Sequence, residues 1–357
     1  MTLRCRVPAK LILSGEHAVV YGQPALSMAI DLTSECELEF QTNDGPLAEN
    51  QIQIALTDYQ LNQAWSFQQA WSLAMACETR YLNHTNSALS IRQVCQTPFD
   101  LPLLCFFHFE QTFGLKPGCW QVKLHSQAWR GRGLGSSAAI ITSLLSALFH
   151  AHAIQDRACL IDMATQIESR QHGRSSGIDP ATIAQGGLIH YQPKSHPVIS
   201  TLPLQPFQAW LIDTGEPQAT TGECVDWVKN HYADEGALWL EFGVCTEQMH
   251  QAWLAQNAFQ FAQAMQTNQG LLEQIQVVPT SISQFINQLR IQTGWIAKLC
   301  GAGTVRGDQA GVILAFHPDH NDIPSQQQNL VTLCQQWGFH AQAIQLAPHG
   351  VQCEEQP

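Results

Sequence analysis

A chain of 357 residues with 45% hydrophobic and 13% charged side chains is long enough for two domains with buried cores, and it has no low-complexity block. Its 29 acidic and 17 basic residues give a formal charge of −12, which argues against nucleic acid or an anionic membrane as the main partner, since both select basic surfaces. Twelve cysteines run from Cys5 to Cys353 with no C-x-x-C pair, which reads as reduced, packed thiols rather than a disulfide framework. The N-terminal apolar run is too short for a secretory signal and no segment reaches membrane-spanning length, so the cytoplasm is the expected compartment.

In chain order, the first element is a strand at "VPAKLILSGEH", where Lys10 stands among apolar neighbours and must either reach the surface or meet a carboxylate or phosphate. Residues 33–40 alternate, with Cys36, Leu38 and Phe40 on one face and three glutamates on the other, which predicts a half-exposed strand. A polar stretch from Thr42 to Gln53 reads as a loop, and residues 57 to about 93 read as helical with a break at "HTNS". Trp120, Val122 and Leu124 predict a further strand.

That strand leads into "GRGLGSSAAI", residues 131–140, and then into Ile141, Leu144, Leu145 and Leu148 at helical spacing. A glycine loop feeding a helix N-terminus suits a phosphate: the backbone can approach the anion, first-turn N–H groups have no helical partner, and serine hydroxyls can bond it or ligate a Mg²⁺. The Gly-Lys-Ser/Thr ending of a Walker A loop is missing. The next helix, "QDRACLIDMATQIESRQHG", ends at Gly173 and carries Glu168 on or beside its apolar stripe. A carboxylate there needs hydrogen-bond donors or a cation, either an arginine such as Arg170 or Arg174 or a metal shared with the serine loop.

Asp179 follows in an irregular run, "HGRSSGIDPATIAQGG", where it reads equally as a turn starter or a catalytic carboxylate on a loop. A short strand at "GGLIHYQP" precedes the best domain boundary, near 195–207. Beyond it come a strand at "AWLID", long helices between 235 and 293, and strands at "GVILAF" and around Phe339 to Ile344, an α+β pattern in both halves. The histidine clusters at His150 to His152 and His317 to His320 lack zinc-type ligand spacing, so zinc is not expected.

Taken together, these stretches resemble the GHMP kinase superfamily, and within it the branch acting on mevalonate. "PAKLILSGEHAVVYGQPAL" resembles its N-terminal motif, "GRGLGSSAA" its phosphate-binding second motif, and "ESRQHGRSSGID" the segment carrying a metal-binding glutamate and a catalytic aspartate. "DTGEPQATT" resembles its strand-turn and "AKLCGAG" the start of its third glycine motif. Galactokinases typically continue the Gly-Glu-His with Thr-Asp where this chain has "EHAVVYG", and homoserine kinases lack a Gly-Glu-His of this type. Three positions depart from the pattern: Trp129 replaces a proline, Gln218 replaces a basic residue, and "TVRGDQAG" stands where a glycine run is usual.

The resemblance implies an α+β, two-domain GHMP kinase fold, with a ribosomal-protein-like α/β domain over residues 1–200 and a ferredoxin-like domain over 201–357. It implies phosphoryl transfer from ATP, with Mg²⁺, to the primary hydroxyl of mevalonate. Asp179 and Lys10 would be catalytic; Gly131, Gly133, Leu134, Gly135, Ser136, Ser137 and Ala138 would hold ATP; Glu168 with Ser136 or Ser137 would bind the metal. His17, Glu16, Thr220, Gly301, Ala302 and Gly303 would face the substrate. Arg306 and Asp308 of the charged third loop read either as an added phosphate or substrate contact, the preferred reading, or as decoration of a surface turn. The alternatives are a GHMP kinase acting on phosphomevalonate or a sugar, and an ATP-binding relative without turnover. The resemblance leaves monomer and homodimer open.

Overall fold

Strand β1 (Thr2–Ser14) alternates half-exposed and buried residues up to Val7 and is buried on both faces from there to Ser14. Its antiparallel partner β2 (Ala25–Gln41) shows the converse, with unbroken burial from Ala25 to Ile30 and alternation near its end. A strand buried on both faces must be covered twice. The covering layers are the two halves of the chain, in a computed structural model that describes residues 2–42, 50–86, 89–194, 197–319 and 323–356.

The first half adds β3 (Gln51–Leu56), β4 (Leu61–Ser66), helices α1 (Phe67–Thr85) and α2 (Asp100–Phe113), and β5 (Cys119–Ser126). Helices α3 (Ser136–Ala151), α4 (Arg157–His172) and α5 (Ile178–Gln185) follow, then β6 (Leu188–Gln192) and β7 (Val198–Thr201). Leu38, Ile54, Phe106, Trp120, Leu144 and Ile167 form one core between this sheet and its helices.

The second half runs β8 (Gln208–Asp213), α6 (Thr221–Tyr232), α7 (Gly236–Leu254), α8 (Ala258–Gln274), α9 (Thr280–Thr293), β9 (Ile296–Cys300), β10 (Val312–Phe316), α10 (Ile323–Gln336) and β11 (His340–Gln345). Its antiparallel sheet has the order β11-β8-β10-β9, with helices inside the first and last connections, which is the ferredoxin-like arrangement. The last strand, β12 (Gln352–Gln356), returns to the first sheet beside β1, completing the order β12-β1-β2-β5-β3-β4 with β6 on β2 and β7 on β6. Residues 201–357 therefore serve both sheets. Leu11 and Met28 share a core with Leu211, Met249, Trp253 and Phe316, and this core joins the halves.

Four expectations are corrected. Residues 61–66 form a strand paired with β3, and α1 begins only at Phe67, where Ser66 and Gln69 make a reciprocal capping box. Residues 51–53 of the expected loop belong to β3, while residues 43–49 lie outside the described residues, as do Ser87 and His320. Asp179 lies in the first turn of α5 rather than in irregular chain. Cys5 and Cys353 form a disulfide, because β12 pairs with β1 in a register that sets the two residues opposite each other; the other ten cysteines are not in disulfides.

Candidate active site

The predicted loop-to-helix junction falls where α3 begins. Gly135 is its N-cap, in the left-handed region at φ 70°, and offers no side chain to the first-turn N–H groups. Those donors are left for an anion. Glycine is required here for packing as well as conformation, because a Cβ at Gly135 would stand 2.9 Å from Lys10 Cε and 3.4 Å from Asp179 Oδ2. The loop thus lies directly on a lysine–aspartate pair.

That pair joins β1 to α5: Lys10 Nζ is 2.9 Å from Asp179 Oδ2, with side chains 4% and 19% exposed. The Lys10 amide also donates to the Leu134 carbonyl, which fixes the loop to the strand. Gly177, an N-cap at φ 83°, and Pro180 in the first turn start α5 so that Asp179 faces Lys10. Neither of the arginines considered for Glu168 pairs with it: Arg170 forms its ion pair with Glu78, and Glu168 accepts instead from Ser175 Oγ at 2.5 Å. Burial and the neighbouring Asp179 push the Glu168 carboxyl up to about 8, with Ser175 and Lys10 opposing them. Ser137 Oγ shares a 3.2 Å hydrogen bond with His172 Nε2 at the end of α4. Burial lowers the His172 ring below the usual histidine range.

These contacts gather two carboxylates, Glu168 and Asp179, and two serines, Ser137 and Ser175, with Lys10 close by. The oxygen-rich set, holding a carboxyl that burial disfavours as an anion, fits a hard divalent cation such as Mg²⁺.

The second half closes the site from the other side. Gly133 and Gly301 meet backbone to backbone, since a Cβ on Gly301 would lie 3.1 Å from Gly133 Cα. Arg132 pairs with Asp213 at the end of β8, its Nε 2.7 Å from Oδ1. His17 is buried, its Nε2–H donates to the Ala302 carbonyl at 3.0 Å, and burial lowers its ring to about 4 against that hydrogen bond.

Two expected substrate contacts have other partners. Glu16 accepts from the wholly buried Lys298 of β9. Thr220 caps α6, its Oγ1 accepting from the Glu223 amide and donating to Glu223 Oε2. Arg306 also turns to Glu223, with Nη2 2.7 Å from Oε1, and Ser281 Oγ donates to Asp308. His172, Ser175, Arg132 and Lys298 were not singled out from sequence. His172 and Ser175 sit inside the motif segment that carries Glu168 and Asp179, whereas Arg132 and Lys298 gain meaning only from partners 81 and 282 residues away.

The site is thus a paired lysine and aspartate under a glycine-lined helix start, closed by a second glycine loop. The profile described as GHMP kinases N terminal domain matches residues 100–187. The whole chain is similar to mevalonate kinases. It is 28% identical over 316 residues to the mevalonate kinase of Thermococcus sibiricus, covering 85% of this chain and 87% of the relative. The mevalonate kinase of Pyrococcus furiosus is 26% identical over 368 residues, covering 99% of each. The crystal structure of the Methanococcus jannaschii mevalonate kinase superimposes with a TM-score of 0.75 at 19% identity, over 96% of this chain and 98% of that one, and has the same fold.

Proposed function

We propose that the protein transfers the terminal phosphoryl group of ATP to the primary hydroxyl of mevalonate, giving 5-phosphomevalonate and ADP. The observation that carries this reading is the Lys10–Asp179 pair packed beneath Gly135 at the start of α3. The first-turn amides of Ser136, Ser137 and Ala138, with the backbone of Gly131, Gly133 and Leu134, bind phosphate oxygens. Asp179 accepts the hydroxyl proton as the alcohol oxygen bonds to phosphorus and the bond to ADP breaks. Lys10 orients Asp179 and offsets charge on the transferring oxygens.

Glu168 with Ser136 or Ser137 would hold Mg²⁺, which would supply charge neutralisation for the phosphates. His17 and the Gly301–Gly303 backbone border the alcohol. Glu16 and Thr220 support that wall from behind, through Lys298 and through the start of α6. The reaction takes place in the cytoplasm, where ATP is supplied.

A coupled ADP-release assay on purified protein with mevalonate, phosphomevalonate and a sugar panel tests the reading. Mevalonate should give the highest kcat/KM. A clearly higher value on another alcohol would replace the substrate, and ATP binding without turnover on any alcohol would replace the activity.

A further inference from the structure

We propose a second metal site, separate from the phosphate-loop site, formed by His190, Glu247 and His250 and suited to Zn²⁺. The three residues come from both halves of the chain: His190 from β6 in the first sheet, and Glu247 and His250 from successive turns of α7. One ligand atom from each lies within 4.8 Å of the other two. Glu247 spans the imidazoles, with Oε1 2.8 Å from His190 Nε2 and Oε2 3.3 Å from His250 Nδ1. The rings are stacked with centroids 4.4 Å apart and planes 19° from parallel.

Metal–ligand bonds near 2.0–2.2 Å in a tetrahedron put neighbouring ligand atoms about 3.3 Å apart, so small side-chain adjustments bring these atoms around an ion. Each imidazole binds with its lone pair when the proton occupies the far ring nitrogen. Two nitrogens and one carboxylate favour Zn²⁺ or another late first-row ion over Mg²⁺, which prefers oxygen.

Burial and access are divided as a bound ion requires. The His190 and His250 side chains are 6% and 16% exposed, while Glu247 is 45% exposed. Glu247 also lines a groove of about 1030 Å³ bordered by Gln23, Gln192, Val244 and Gln251. The groove gives an ion an entry path and leaves its fourth position to water. Among the described residues, His150, His152 and His317 do not belong to this group. His190 and Glu247 are 57 residues apart in sequence, so only the docking of α7 on the first sheet brings them together. An ion here ties β6 to α7 and stabilises the union of the halves.

The test uses the full chain, stripped with chelator and titrated with Zn²⁺, and in parallel with Co²⁺, in excess Mg²⁺ that occupies the oxygen-ligand site. The expected result is one ion per chain, a higher thermal midpoint with Zn²⁺, and a Co²⁺ spectrum with visible ligand-field bands but no thiolate charge transfer. Glu247→Gln, at the accessible edge, and His250→Ala, beneath it, should each weaken binding by about tenfold or more. The proposal is overturned by an absence of saturable binding to the parent, by undiminished affinity in both variants, or by a thiolate signature placing the ion on Cys77 and Cys95.

Discussion

Two buried lysines face carboxylates across this molecule, and their surroundings set them apart. Lys298 and Glu16 are 0% and 1% exposed, and the Lys298 ammonium also donates to the carbonyls of Leu299 and Ile12 at 2.6 and 3.3 Å. Lys10 meets an aspartate that is 19% exposed, beneath the glycine loop. The first pair has its donors committed inside the seam between β1 and β9, so it fixes how the halves meet. The second keeps a carboxylate within reach of a ligand. The same pairing thus differs in access according to what else each ammonium holds.

The largest expected effect lies at the accessible pair. Asp179→Asn keeps the shape and removes the proton acceptor, so kcat should fall by ~10²–10⁴ with the fold and ATP binding retained. Steady-state kinetics on a variant with parental circular dichroism checks this. Turnover within a few-fold of the parent would make Asp179 as structural as Glu16 and erase the contrast.

At the saturated pair the loss should appear in stability. Lys298→Met strands Glu16 without its cation and should cost about 3–5 kcal/mol in urea unfolding. Replacing both partners, Glu16→Leu with Lys298→Met, should recover most of that loss, because apolar residues of similar volume need no desolvated charge. A double variant no more stable than the single one would show that these groups do more than offset each other.

A smaller effect tests the same seam through pH. Burial holds His17 at about 4 when folded, against 6.5 as its ordinary value. Between those values the unfolded chain binds the proton and the folded chain does not. The contribution is therefore present above pH 6.5 and is lost as pH falls toward 4, by about 2 kcal/mol at pH 5. His17→Gln retains an N–H for Ala302 and does not titrate. The parent should lose about that much more stability than the variant between pH 7 and pH 5, and equal losses would mean that His17 protonates freely in the folded protein.

The elements that chemistry confines to a short window were legible in sequence. Gly135 before Ser136, Gly173 after His172 and Glu168 on the buried stripe of α4 all follow from periodicity and caps within one helix. Other features depend on chain brought from elsewhere. Leu61–Ser66 is a strand because β3 lies beside it, and Cys5 finds Cys353 because β12 crosses back over 348 residues. Asp179 was hidden differently: Gly177 and Pro180 suggest a broken chain, yet a left-handed N-cap and a first-turn proline are both compatible with a helix start.

The smallest expected effect concerns Arg306 in the charged third loop. A ligand contact would make this arginine part of the accessible machinery, but its guanidinium lies on Glu223, with side chains 57% and 34% exposed. Against partial burial, the Thr220 amide, Arg92 and Arg306 together hold the Glu223 carboxyl at about 2. Arg92 remains on Glu223 Oε2 when Arg306 is removed, and exposed ion pairs are worth about 0.2–1 kcal/mol. Arg306→Ala should therefore change stability by less than about 1 kcal/mol and leave kcat and both KM values within about twofold. Losing a charged hydrogen bond to a phosphate would instead cost about 1.5–3 kcal/mol, raising one KM by roughly tenfold or more. Such a rise for ATP or mevalonate would move Arg306 from the fixed frame to the ligand-facing side of the molecule.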